Sequence, residues 1–363
     1  MHIVYLVSSM KKSGLTKIIY NVAINIVKDS KVSIVELNSD KHDSEYKASL
    51  KSLGVDFYDA NVSKVNLLKN IKDISNILSS TSPDVVHAHC LRSIVFLSFV
   101  KGNTYKKVCT MHSYIVNNYV GEFGKIKGTL LAKFVINRVK VFDEIISVSE
   151  SVQKLFKDRE NLSTYAICNG VDKKAKAITE YNTIKPIPFI YTGSISHRKR
   201  IKFLCESIIS YNNFSSTKIN LTLAGSGPLF NEISQKYLEH QNLFFLGNVE
   251  DVDKYLSEGA YFISASASEG LPNAVMEAMA LGLPVILSDI PPHQELLDGD
   301  RIGYSFELDS YDSLCKTLNK VVELEESEYL SLASKAHFKI NEKFNVEVMA
   351  NKHKELYEQI IIK

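Results

Sequence analysis

The stretch Tyr261-Phe-Ile-Ser-Ala-Ser-Ala-Ser-Glu269-Gly-Leu-Pro-Asn-Ala-Val-Met-Glu277-Ala-Met-Ala-Leu-Gly-Leu-Pro284 decides how the chain is read. Tyr261–Ser264 is a short apolar run without alternation, the pattern of a strand covered on both faces. Small residues follow, and Gly270 and Pro272 mark a turn. Pro272 is expected in the first helical turn, where its missing N–H costs nothing. The spacing predicts a helix over 273–281, closed by Gly282 and barred from continuing by Pro284. Strand, turn and helix in that order form the unit of a parallel sheet. The free N–H groups and dipole at such a helix start favour an anion, for instance a diphosphate. Glu269 falls in the turn and Glu277 about one turn into the helix, so the two carboxylates suit opposite ends of one elongated ligand. Periodicity alone also fits two solvated surface carboxylates.

The same rhythm extends in both directions. Strands are expected at 3–9, 32–38, 55–58, 84–89, 107–111, 144–149 and 164–168, with helices near 15–28, 65–78 and 125–140. A polar, Lys-rich stretch at 172–186 ends in Pro186 and reads as a linker. A second series follows, with strands at 189–192, 219–224, 243–246, 261–264 and 284–288. Its helices are expected near 201–211, 228–238, 252–257 and 273–281. Two α/β domains with doubly wound parallel sheets are therefore expected in tandem, with ligands beyond the carboxyl ends of the strands. A cleft between two such domains is the natural site.

A chain of 363 residues suits two domains. A formal net charge of +2 is too mild for nucleic acid as a bulk partner. The five cysteines are odd in number, widely spaced and form no CxxC, which argues against a disulfide framework or structural zinc and fits a reducing compartment. No run approaches the roughly 18–20 apolar residues of a membrane span.

Several local patterns carry chemistry. Thr192-Gly193-Ser194-Ile-Ser-His197-Arg198-Lys199-Arg200 joins a strand to a helix. Three consecutive cations there are costly to bury without an anion, which a diphosphate would supply, although a solvated charge run fits as well. Gly225-Ser-Gly227 precedes a helix but lacks the third glycine of a dinucleotide fingerprint. Ser13-Gly14 joins the first strand to the first helix and reads as a βα turn with a helix cap. His87 and His89 share one face of a strand, yet no third ligand accompanies them, so no metal site is expected. The segment Lys125 to Lys140 reads as a basic amphipathic helix, which either packs on its own sheet or rests on an anionic membrane.

The spacing of Glu269 and Glu277, with Gly270, Pro272, Asn273, Ala278, Ala280, Gly282 and Pro284, resembles the signature of retaining glycosyltransferases of family 4. Asp289 and Glu295 continue it, and the resemblance covers nearly the whole chain. It implies the GT-B fold, two Rossmann-like domains facing a central cleft. An acceptor-side domain is expected over 1–171, the linker over 172–186 and a donor-binding domain over 187–344. A terminal helix over about 345–363 is expected to pack back on the first domain. The resemblance assigns the donor sugar to Glu269, the sugar and phosphate to backbone amides of Gly270, Leu271, Pro272 and Asn273, and the ribose to Glu277. Gly193, Ser194 and Gly225 would line the donor site, and Asn248 and Val249 would contact the base. Lys199 matches a family lysine, whereas Ser194 stands where the family carries arginine, so Arg198 becomes a candidate for the diphosphate. Ser13, Gly14 and His112 would serve from the first domain.

The implied reaction moves a hexose from a UDP- or GDP-sugar to a saccharide or lipid-linked saccharide acceptor, with retention, without metal and without any further cofactor. A cytoplasmic location is expected, either soluble or attached peripherally at the inner membrane face. A sugar-nucleotide epimerase and a non-catalytic sugar-nucleotide-binding subunit are the rival readings.

Overall fold

The computed structural model describes residues 1–39, 44–63, 65–101, 104–175, 177, 184–297 and 302–362. The chain forms two compact units, Met1–Gly170 with Val346–Lys363, and Val171–Asn345. Each is built on one parallel sheet.

In the first unit the strands are β1 (His2–Val7), β2 (Lys31–Glu36), β3 (Asp56–Asp59), β4 (Val85–Ala88), β5 (Lys106–Met111), β6 (Glu144–Ser147) and β7 (Tyr165–Ala166). They are ordered β3-β2-β1-β4-β5-β6-β7 and all pair in parallel. Ile3 through Val7 are fully buried, so β1 needs apolar side chains on both faces. Ile3 aligns with Val32 on one side and Val85 on the other. The strand order therefore reverses beside β1, which opens a crevice at the carboxyl ends of β1 and β4. The helix Val346–Ile362 packs against the helix Gly14–Ile26, and its Met349, Leu356, Tyr357 and Ile360 join the core around Ile3 and Tyr5.

The second unit repeats this plan with β8 (Ile187–Thr192), β9 (Ile219–Ala224), β10 (Leu243–Gly247), β11 (Tyr261–Ser264), β12 (Val285–Ser288) and β13 (Gly303–Phe306). Their order is β10-β9-β8-β11-β12-β13, again parallel, with the reversal between β8 and β11.

The elements depart from expectation in informative ways. Pro272 is the N-cap residue rather than the first helical residue, and its carbonyl accepts from the Met276 N–H at 3.1 Å. The helix Asn273–Ala280 closes as expected: Gly282 has φ +82°, its N–H donates to the Met279 carbonyl, and the Leu283 N–H donates to that of Ala278. The strand expected at 164–168 shrinks to two residues. Leu91–Phe99 and Ile115–Phe123 are helices without a sequence signal, because Cys90 and Tyr114 at their caps make no side-chain capping bond. The strand Gly303–Phe306 and helices Glu45–Ser52, Glu150–Glu160, Pro291–Leu297, Tyr311–Val322 and Glu326–Lys343 are also additions.

Of the linker expected at 172–186, residues 176 and 178–183 lie outside the described residues. Its start is tied to the second unit, since the Lys174 N–H donates to Asn341 Oδ1 at 3.0 Å and Lys174 Nζ pairs with Asp253.

Candidate functional site

In the second unit, two turns meet at the strand-order reversal. One leaves β8 through Gly193 and Ser194 into the short 3-10 turn His197–Lys199; the other leaves β11 through Ser266 to Leu271. The Ala267 N–H donates to the Arg198 carbonyl at 2.9 Å and joins them. Glu269 is buried between two cations. Lys199 Nζ donates to Oε1 at 2.5 Å, and Arg198 Nη1 donates to Oε2 at 2.8 Å and to the Ser268 carbonyl. The Lys199 side chain is 11% exposed and that of Arg198 41%, so Lys199 is the inner partner. Burial pushes the Glu269 carboxyl up, but Lys199 and then Arg198 outweigh it and hold it down at about 2.

This arrangement gives two cations of the run an internal anion. Glu269 supplies it, and Arg200 turns away to Asp309, with Nε to Oδ1 at 3.0 Å. Only Arg198 and Lys199 belong to the site.

The glycine-rich turns close over the same strand ends. Gly225 has φ +140°, and a Cβ there would lie 1.9 Å from the Gly193 carbonyl oxygen. The glycines therefore let three turns cross, which explains a GxG without a dinucleotide. The Gly193 N–H donates to the Ala224 carbonyl at 3.0 Å and the Gly225 N–H to that of Gly247 at 2.7 Å. Ser194 is exposed there, and Asn248 and Val249 follow β10 directly. Gly270, Leu271 and Pro272 are buried in the turn, while Asn273 and Glu277 are half-buried on the helix. Asp289 instead accepts from the Leu308 N–H at 2.9 Å and anchors a loop.

The sequence reading missed His293. It is fully buried, its Nδ1 lies 2.9 Å from the Ser288 carbonyl, and its Nε2 has no partner. Burial lowers it to about 4 against the pull of Glu269. The signal available was a histidine placed just after Pro291-Pro292, four residues beyond Asp289.

In the first unit, Ser13 caps the helix Gly14–Ile26 through a reciprocal pair with Thr16: the Thr16 N–H donates to Ser13 Oγ at 3.2 Å, and the Ser13 N–H to Thr16 Oγ1 at 2.9 Å. A Cβ on Gly14 would meet open space. His112 follows β5, and its Nε2 lies 3.1 Å from His89 Nδ1. Burial, with His353 adding to it, lowers His112 to about 4. His87 is committed on both ring nitrogens, to the Tyr357 hydroxyl at 2.6 Å and to Thr110 Oγ1 at 2.7 Å. That bonding explains the paired histidines as a link between β4 and the Val346–Ile362 helix. Among the described residues no group of three or more His, Cys, Asp or Glu is arranged to hold a metal ion.

The helix Lys125–Val139 buries Gly128, Ala132, Val135, Ile136 and Val139. Its outer face exposes Ile126 (79%), Leu130 (64%) and Phe134 (47%), flanked by the exposed Lys125, Lys127 and Lys133. Arg138 is not on that face: Nε donates to Ser98 Oγ at 3.0 Å and the guanidinium lies over the Phe99 ring. No helix among the described residues is long and apolar enough to cross a membrane.

Two family models match the chain, "Glycosyltransferase Family 4" over residues 13–175 and "Glycosyl transferases group 1" over residues 187–323. The chain belongs to glycosyltransferase family 4. The family-4 chain is 24% identical over 377 residues to the O-antigen biosynthesis glycosyltransferase WclY of Escherichia coli, covering 99% of each. It is 26% identical over 326 residues to the UDP-Gal:alpha-D-GlcNAc-diphosphoundecaprenol alpha-1,3-galactosyltransferase of Escherichia coli, covering 83% of this chain and 82% of that one. Sucrose-phosphate synthase from Thermosynechococcus elongatus superposes with a TM-score of 0.80 at 16% identity over 100% of both chains, a likeness of fold. The two parallel-sheet units are those of a GT-B glycosyltransferase.

Proposed function

We propose that this glycosyltransferase moves a hexose from a UDP- or GDP-sugar to a hydroxyl of a saccharide carried on a lipid diphosphate, in the synthesis of a bacterial surface polysaccharide. The observation that carries the donor site is Glu269 held between Lys199 and Arg198 at the reversal of the second sheet. A donor placed there would set its diphosphate against Lys199 and Arg198 and the amides of Gly270 to Asn273, with Gly193, Ser194 and Gly225 around it. Asn248 and Val249 would flank the base and Glu277 the ribose. Glu269 is ionised at every physiological pH and would favour positive charge developing at the anomeric carbon.

In a retaining front-face transfer, the bond from the anomeric carbon to the diphosphate oxygen breaks with its electron pair leaving on phosphate. The acceptor oxygen bonds to the same face, and its proton passes to the departing phosphate. Lys199 and Arg198 stabilise that leaving charge, so the reaction as proposed needs no metal. His112, neutral near pH 7 and half-buried, would contribute a neutral hydrogen-bonding group from the first unit, and Ser13 and Gly14 would serve from the turn after β1. The diphosphate-linked acceptor is suggested by what the 26% identical relative acts on.

The exposed Ile126, Leu130 and Phe134 with their lysines would rest the first unit on the anionic inner face of the cytoplasmic membrane, where such acceptors lie. The test is transfer from a panel of UDP- and GDP-sugars to a lipid-diphosphate-linked saccharide, with and without EDTA, with the product anomer read by NMR. EDTA-insensitive transfer with retained configuration is expected. Inversion, or loss of transfer with EDTA, would overturn the mechanism; turnover of the sugar without an acceptor would favour an epimerase, and binding without turnover a non-catalytic subunit.

A further inference from the structure

The donor site leaves one polar feature of the first unit unused. An open cavity of about 520 Å³ is lined by Asn38, Val62, Ser63, Arg92 and Phe96. Asn38 follows β2, Ser63 follows β3, and Arg92 follows β4 in the first turn of the helix Leu91–Phe99. All three therefore sit at the carboxyl edge of the sheet, where open α/β sheets bind ligands. Arg92 Nη2 donates to Asn38 Oδ1 at 3.2 Å, a neutral partner. Among the described residues no carboxylate pairs with Arg92.

Its place on the helix is unfavourable for a cation. The first turn is the positive end of the dipole, and this one contains no acid. An anion in the cavity would relieve both conditions and would accept charge-assisted hydrogen bonds from the guanidinium. Beyond Arg92, Asn38 and Ser63 the lining is apolar, with Val62 buried and Phe96 half-buried against the core. A free phosphate would use only the polar part; an anionic head joined to a hydrocarbon would use both.

We propose that this cavity is the subsite for the diphosphate and first isoprene unit of a prenyl-diphosphate-linked acceptor, with Arg92 on the phosphate and Val62 and Phe96 on the hydrocarbon. The assignment rests on the lipid-diphosphate acceptor proposed above. Asn38 orients Arg92, and Ser63 offers a second donor at the polar end.

Calorimetric titration of the whole chain with farnesyl diphosphate tests it, with UDP present at saturation so that the donor site is occupied. Farnesyl diphosphate should bind, and Arg92→Gln should weaken it by about tenfold or more, the size of one lost hydrogen bond to a charged group. Asn38→Asp should do the same by neutralising Arg92 from an exposed position, and it covers the case in which Arg92→Gln fails to fold. Inorganic pyrophosphate should bind more weakly than farnesyl diphosphate. UDP affinity of both variants should equal that of the parent. The proposal falls if neither variant weakens binding, if UDP abolishes it, or if pyrophosphate binds as tightly as the prenyl compound. Absence of sugar transfer from every donor, with this binding intact, would instead sink the proposed reaction and leave the cavity assignment standing.

Discussion

The two units share a sheet plan and differ in how each treats charge at its reversal point. The second unit concentrates charge, with a carboxylate held down at about 2 between a lysine and an arginine. The first unit lines β4 and β5 with neutral groups, since His87, His89, His112 and His353 are all lowered by burial, and keeps its buried charge on β2, where Lys47 pairs with Glu36 at 2.6 Å. One sheet geometry thus supports two kinds of surface. In the proposed reaction the charged one faces the leaving diphosphate of the donor.

The strongest way to break this comparison is Glu269→Gln. It leaves Lys199 and Arg198 without their buried partner, and breaking such a pair costs about 3–5 kcal/mol. In the proposed reaction kcat should fall by about 10²–10³-fold. Steady-state kinetics with a melting curve check both, and a variant with unchanged kcat would remove Glu269 from the site. Lys199→Met should cost about 10²-fold in kcat/KM, on the same scale as one lost electrostatic contact. Arg198→Ala should cost less, because that side chain is far more exposed. Equal losses would contradict the inner and outer ranking.

Acid should separate the units. For the lowered histidines the unfolded chain binds protons that the folded chain refuses, so their stability is complete above about 6.5 and is lost as pH falls towards 4. Glu269 acts lower: its contribution is present above about 4.5 and is lost as pH falls towards 2. The second unit has His293 as its one histidine of lowered pKa among the described residues. Hydrogen exchange at pH 7 and pH 5 should therefore show the first unit losing protection more than the second, and equal loss would count against the contrast. The smallest effect belongs to the outer helix face. Lys127→Gln should weaken co-sedimentation with anionic vesicles by about fivefold, near 1 kcal/mol per basic residue, and Ile126→Asp should weaken it more.

The second unit was the more legible in sequence. Gly270, Pro272 and Gly282 act through turn and cap chemistry that lies close together along the chain, so spacing located the turn and the helix, whereas Glu269 was singled out only by the family resemblance. The pairing of Glu269 with Arg198 and Lys199 joins residues about 70 positions apart, and nothing local announces it. His293 was missed because its role comes from burial beside that triad. In the first unit, Leu91–Phe99 had no capping signal, and so the position of Arg92 beside Asn38 was invisible until β2 and β4 were placed in one sheet. The Lys125–Val139 helix was found, but which of its cations face outward depends on packing against Ser98 and Phe99.

The return of the helix Val346–Ile362 to the first unit has a consequence for biosynthesis. Tyr357 hydrogen bonds to His87, and Met349 and Leu356 fill the core beneath β1. On the ribosome those residues emerge only after the entire second unit, 171–345, has been made. The second unit has its whole sequence available first and can fold while translation continues. The first, although its strands are translated earliest, waits with an open core for its last helix. Nascent chains that stop short of residue 346 would carry that open core, which gives chaperones and proteases a ready means of distinguishing unfinished copies from finished ones.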